Sequence, residues 1–127
     1  MSKVVLDASA ILALLNDETG AAQVQAALPG SIISSVNYSE VVARLSILGM
    51  PDVEIHGALD ILGLEIIPFD EEQAFQAGAL AQATRPHGLS LGDRACLALA
   101  QRTDYSALTA DKIWQNLNLG VEIQVIR

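Results

Sequence analysis

Four carboxylates stand where this chain has least reason to carry charge. Asp7 closes the apolar run Val4-Val5-Leu6, and Glu40 heads Glu40-Val41-Val42-Ala43-Arg44-Leu45. Asp93 opens an apolar stretch that runs to Ala100, and Asp111 ends Ala107-Leu108-Thr109-Ala110. These segments are the natural core of the protein, and a charge left unpaired there is costly. An acid is kept in such a place for a cation, a proton or a helix cap. With no His or Cys nearby, an all-carboxylate set suits a hard divalent cation, Mg²⁺ or Mn²⁺, which takes oxygen ligands and retains waters. An ion of this kind activates water and steadies the leaving oxygen in phosphodiester cleavage. Ser9 and Thr109 carry hydroxyls suited to positioning a carboxylate or a metal-bound water, and both equally suit ordinary turns.

The elements that must position these residues alternate in type. Strands are expected at Lys3 to Leu6, Ser31 to Ser34, Leu64 to Ile67, Ala107 to Leu108 and Val121 to Ile126. Helical spacing appears at Ser9 to Leu15, Ala21 to Leu28, Tyr38 to Leu48, Pro51 towards Leu62, from Asp70 onward, and Gly92 to Arg102. Such alternation predicts right-handed βαβ units around a mostly parallel sheet. In that architecture ligands gather at the carboxyl ends of the strands. Asp7 and Asp111 follow strands, and Glu40 and Asp93 are expected at helix starts on the same edge.

Capping is the competing reading. Asn37 to Glu40 and Ser90 to Asp93 both have capping-box spacing, Asp7 precedes a helix, and Thr109 or Asp111 can cap the segment through Trp114. Asp93 shares a helical face with Cys96, Leu97 and Ala100, which points it inward. Glu40 and Arg44 are spaced for an i,i+4 ion pair. Asp70, with Gln73 three residues on, reads as a plain cap. Asp17, Glu18, Asp52, Glu54, Glu71 and Glu72 lie in polar runs and read as solvated.

The 127 residues are enough for one domain with a sizeable core, and Ala, Leu, Val and Ile must build it because only 4% of the chain is aromatic. No uninterrupted apolar run reaches the ~18 residues of a membrane span, and Asp7 interrupts the one segment resembling a leader. A cytoplasmic protein is the expectation. The single Cys96 excludes an internal disulfide and reads as a buried thiol. His56 and His87 have no zinc-ligand spacing. The net charge of −8 opposes general attraction to nucleic acid. The available cations are Lys3, Arg44, Arg85, Arg94, Arg102, Lys112 and Arg127.

Val4-Val5-Leu6-Asp7-Ala8-Ser9-Ala10, Ser39-Glu40-Val41, the segment Gly88 to Ala100 and Leu108-Thr109-Ala110-Asp111 together resemble PIN-domain proteins. The resemblance is greatest to the VapC-like ribonuclease toxins of type II toxin–antitoxin systems, and it extends over nearly the whole chain in order and spacing. It implies a three-layer α/β/α PIN domain over residues 1–127, Mg²⁺- or Mn²⁺-dependent endoribonuclease activity on an RNA substrate, a homodimer and a cognate antitoxin partner. Carried over by position, Asp7, Glu40 and Asp93 match the core acidic triad, and Asp111 the additional acid.

Other functions fit the residues less well. An aspartyl-phosphate phosphatase also places a nucleophilic Asp after its first strand, but it wants an acid two residues on, where this chain has Ser9. A receiver-like phospho-acceptor leaves the Leu89 to Ala100 segment unexplained. A PIN-like module that binds RNA or protein without cutting is the alternative of a different class, and intact acids count against it. The apolar helices from Tyr38 to Leu62 supply more hydrophobic surface than a small core requires, which suits a partner as well as a core.

Overall fold

The computed structural model describes residues 3–127. Its centre is a five-stranded sheet of β1 (Val4–Leu6), β2 (Ile32–Ser34), β3 (Glu65–Ile67), β4 (Ser106–Thr109) and β5 (Ile123–Val125), in the order β3-β2-β1-β4-β5. Every pairing is parallel, so all carboxyl ends lie on one edge. The order reverses at β1, whose two neighbours, β2 and β4, diverge to either side. This is the crevice position for a ligand in an open parallel sheet.

The side chains of β1 alternate between two cores, as extended backbone requires. Val4 and Leu6 pack with Ile33 and Leu108 against α1 (Ala8–Leu15), α2 (Ala21–Ala27), α3 (Ser35–Ile47) and α4 (Asp52–Asp60). Val5 faces the other way, with Ile32, Ala107 and the buried Trp114, against α5 (Glu71–Ala79) and α7 (Leu91–Thr103). Three layers result, as expected for the PIN fold. The three inner strands, β2, β1 and β4, are short and almost wholly buried, while the edge strands β3 and β5 are more exposed. Packing holds the inner strands rather than propensity, and each fully buried Leu or Ile contributes about 1.5–3 kcal/mol. The short helix α6 (Ala81–Thr84) and a 3-10 turn at Arg85–His87 bring the chain to Gly88, which accepts φ +67 before α7.

One expectation about the site needs correcting. Helix α3 does not begin near Glu40. Ser34, the last residue of β2, caps it by accepting the Val36 N–H at 3.2 Å, and the strand passes into the helix without a loop. Glu40 is therefore the sixth residue of α3, and the Asn37/Glu40 spacing is an in-helix pair rather than a capping box. The Ser90/Asp93 box does form: Ser90 N–H donates to Asp93 Oδ2 at 2.9 Å and Asp93 N–H to Ser90 Oγ at 3.2 Å. No helix among the described residues is long and apolar enough to cross a membrane.

Candidate active site

Asp7 lies at the carboxyl end of the central strand and is only 4% exposed. Its own N–H donates to the carbonyl of Leu108 at 3.2 Å, a register that brings the end of β4 alongside. Thr109 Oγ1 then donates to Asp7 Oδ2 at 2.5 Å, Ser9 Oγ donates to Oδ1 at 2.7 Å, and Ala10 N–H donates to Oδ1 at 2.9 Å. Burial pushes the Asp7 carboxyl up to about 6; the Thr109, Ser9 and Ala10 donors pull against it, and the charge of Asp93 adds to the rise. Asp7 thus caps α1 and also carries a strained charge with one acceptor position on Oδ2 left over.

Ser9 and Thr109 are the frame of this carboxylate. Ser9 Oγ lies 3.3 Å from Thr109 Oγ1 and accepts the Ala110 N–H at 2.9 Å. Thr109 Oγ1 accepts the Asp111 N–H at 3.1 Å. The two hydroxyls therefore lock the β1 and β4 ends together and fix the direction of Asp7.

Glu40 and Asp93 come from opposite sides of the sheet and meet through Asn37, expected only as a helix cap, and Gly92, to which the sequence assigned no role. Asn37 is 1% exposed; its amide Nδ2 donates to Glu40 Oε1 and to the carbonyl of Gly92, each at 2.9 Å. One side chain thus holds the carboxylate and ties α3 to α7. Its Oδ1 is buried with no donor from the protein. Gly92 is the cradle: a Cβ there would coincide with the Glu40 carboxylate. The Gly next to Asp93 was the available signal, since a glycine in the first turn of a helix is unfavourable unless something needs the space. Partial burial holds the Glu40 carboxyl above its usual range, with Asn37 opposing and the Asp93 charge adding.

Asp93 is half-buried on the face that continues into the buried Cys96, Leu97 and Ala100, as expected. Cys96 is a free buried thiol; burial raises its pKa well above the usual range, and the charges of Asp7, Asp93 and Glu40 add to it. All three acids therefore act on one point beneath the edge. Asp111 stands apart: it is exposed and caps the 3-10 turn Lys112–Asn116 by accepting the Ile113 N–H at 3.0 Å. Asp70 is the plain cap expected of it, accepting the Gln73 N–H at 2.9 Å. Glu40 and Arg44 form no ion pair; the two among the described residues are Arg102–Asp70 at 3.7 Å and Arg127–Glu18 at 2.7 Å.

The donor set fits a hard cation in kind. Asp7 Oδ2 keeps a lone pair, while Asp93 Oδ1 and Glu40 Oε2 accept no hydrogen bond from the protein. As placed, no three His, Cys, Asp or Glu side chains among the described residues are close enough to hold an ion. Like charges with no cation between them are expected to keep apart. Beside Glu40 a cavity of about 490 Å³ opens between Ser35, Ser39, Ala43 and Phe69.

The sequence signature of the PIN domain matches residues 4–118. Ribonuclease VapC42 of Mycobacterium tuberculosis is 34% identical over 113 residues, covering 79% of this chain and 84% of its own; a VapC ribonuclease of Mycobacterium bovis matches to the same extent. Among solved structures, a toxin–antitoxin complex from Klebsiella pneumoniae superposes with a TM-score of 0.77 at 21% identity, over 98% of both chains. VapBC2 from Rickettsia felis, bound to a DNA fragment from its promoter, gives 0.71 at 18% identity over 98% of this chain and 99% of the other. The signature, the relatives and the fold agree, and the chain belongs to the PIN-domain family, among the VapC ribonucleases.

Proposed function

We propose that this protein is a toxin-type endoribonuclease that hydrolyses RNA phosphodiester bonds with a divalent cation, Mg²⁺ or Mn²⁺, held by Asp7, Asp93 and Glu40, with Asp111 at the rim. The observation that carries this reading is the setting of Asp7. A buried carboxylate with two hydroxyl donors and no cationic partner among the described residues is an expensive arrangement, and a cation removes the expense. Its relatives are named ribonucleases.

When bound, such an ion offsets negative charge developing on the phosphate and lowers the pKa of an attacking water. The chain's own residues supply the rest. Ser9 and Thr109 keep the Asp7 carboxylate from rotating, so its free acceptor position points one way. Asn37 holds Glu40 by one oxygen and leaves the other to orient water. A carboxyl held above its usual range by burial is also a somewhat stronger base for that water's proton at Oε2. Asp93, half-buried at the first turn of α7, completes the anionic wall.

The same reading includes an antitoxin partner and a homodimer. Ile47 (79% exposed), Leu48 (62%), Val53 (82%) and Ile61 (83%) supply apolar surface on α3, α4 and their ends, which supports a protein partner there. Sedimentation at micromolar concentration tests the dimer: a monomer refutes it. Purification at native expression tests the antitoxin, which should accompany the protein as a small chain. For the activity, a fluorogenic RNA should be cleaved with Mg²⁺ or Mn²⁺ and not in chelator. Full cleavage by well-folded Asp93→Asn, or in excess chelator, would remove the assignment.

A further inference from the structure

We propose that Arg44 and Arg127 form a seat for a phosphate of the RNA strand beside the one being cut; this rests on the nuclease reading above. The seat is a pocket of about 380 Å³ lined by Ser9, Asn16, Glu18, Arg44, Ala110 and Arg127. It shares a wall with the acidic site. Ser9, which donates to Asp7, also accepts from Ala110, and both residues border the pocket. A strand whose scissile phosphate lies over Asp7 has its neighbouring phosphate within reach of this pocket.

The arginines are disposed for that task. Arg44 follows Glu40 by one helical turn, about 6 Å along the axis, and leaves it unpaired. It lines the pocket instead. Arg127 reaches the same pocket while paired with Glu18 at 2.7 Å. That pair is exposed on both sides, and exposed pairs hold weakly enough for a phosphate to compete. Two guanidinium groups and one carboxylate give the side chains lining the pocket a formal charge of +1, in a chain whose side chains sum to −8. The forked donors of Arg match phosphate oxygens in pairs.

The other cations are placed elsewhere. Lys3 sits 5.7 Å over the Tyr105 ring, at the opposite end of the sheet from Asp7. Arg94 donates to the Ala77 carbonyl at 3.0 Å, and Arg102 pairs with Asp70. Arg85 and Lys112 lie exposed on turns. An acidic protein has little long-range attraction for RNA, so its hold must come from a few local contacts. The Arg44–Arg127 pocket is where two such contacts adjoin Asp7 through Ser9, whereas Lys112, next to Asp111, lies outside the pocket.

The test measures binding and cleavage separately. Anisotropy of a labelled single-stranded RNA 12-mer in chelator reports affinity without cutting, over a series of KCl concentrations; a fluorogenic RNA with Mg²⁺ or Mn²⁺ reports kcat and KM. Arg44→Gln should weaken binding about tenfold at low salt and flatten the slope of log K against log[KCl] by about 0.7. KM should rise with kcat nearly unchanged. Arg44→Lys should keep the slope and regain part of the affinity, and Arg127→Gln should act like Arg44→Gln. Unchanged binding and slope in both Gln variants, with wild type cleaving normally, overturns the seat and leaves the nuclease. RNA binding that depends on Arg44 without cleavage by wild type keeps the seat and removes the nuclease. Loss of a copurified protein partner with RNA binding intact makes the pocket a protein-docking site and overturns the proposal. A wild type that neither binds nor cuts RNA overturns both.

Discussion

Asp7 and Asp70 make the same local bond in different surroundings. Each is an extended residue before a helix, and each accepts the N–H three residues on at 2.9 Å. Asp70 is exposed, with Arg102 at 3.7 Å. Asp7 is buried, makes no ion pair among the described residues, and takes two further hydrogen bonds from hydroxyls. Capping alone explains Asp70. For Asp7 the magnitudes disagree with that account. A cap is worth about 1 kcal/mol, and Asn caps as well as Asp. Raising a buried carboxyl from its ordinary 3.8 to about 6 costs on the order of 3 kcal/mol once it is ionised. A residue retained only as a cap would be better served by the amide, so the charge itself has a use.

The sharpest way to break this comparison is to make both residues amides. Asp7→Asn should lower cleavage by roughly 10³-fold or more while the helix cap persists. Asp70→Asn should leave cleavage unchanged. Equal effects in kinetic assays would mean that the two caps do not differ in function.

Next in size is a pH effect on stability, read by denaturant unfolding in chelator. The folded-state pKa of Asp7 is raised, so between about 3.8 and 6 the folded chain holds a proton that the unfolded chain releases. Asp7's contribution is thus most favourable below pH 3.8, is lost as pH rises, and the full penalty is present above about 6. Relative to Asp7→Asn, wild type should lose on the order of 3 kcal/mol from pH 4 to pH 7. Saturating Mg²⁺ or Mn²⁺ should erase most of that difference, and parallel curves with and without metal would remove the cation from the explanation.

Glycines extend the comparison to the other two acids. Gly92→Ala puts a methyl on the Glu40 carboxylate and should cut activity about 10²-fold, as a displacement near 1 Å does. Gly78→Ala, in α5 with open space around it, should leave activity alone and add roughly 0.5–1 kcal/mol of stability. Of the same small size, and opposite in sign, is the loss of the plain cap: Asp70→Ala should cost about 1 kcal/mol in thermal or denaturant unfolding with cleavage intact.

Much of this arrangement was legible in the sequence, because strand and helix periods differ and the strands are nearly continuous apolar runs. All five strands fall within one or two residues of their expected places, the last being the most shortened, Ile123–Val125 within Val121 to Ile126. The pairing of Ser9 and Thr109 with Asp7 was readable only as a possibility, since it depends on the β1–β4 register across most of the chain. The start of α3 was misread because Ser34 belongs to a strand and caps a helix at once. The tie made by Asn37, which read only as a cap, and the cradle at Gly92 were not legible for a related reason. Their use is a contact between two helices on opposite faces of the sheet, and no local spacing encodes it. The same holds for Arg44, whose i,i+4 acid is nearby and not taken.

The hydroxyl that completes Asp7 has a consequence in time. Thr109 lies 102 residues further along the chain. During synthesis, Asp7 and Ser9 are made early, β1 gains β2 as a neighbour, and the other side of β1 waits for β4. Asp93, Gly92 and Thr109 are among the last parts of the site to leave the ribosome. Until then the Asp7 carboxylate has neither its Thr109 donor nor the enclosing layer of α7. A chain that attacks RNA is thereby assembled so that its cutting edge stays incomplete until a residue made 102 positions after Asp7 has emerged.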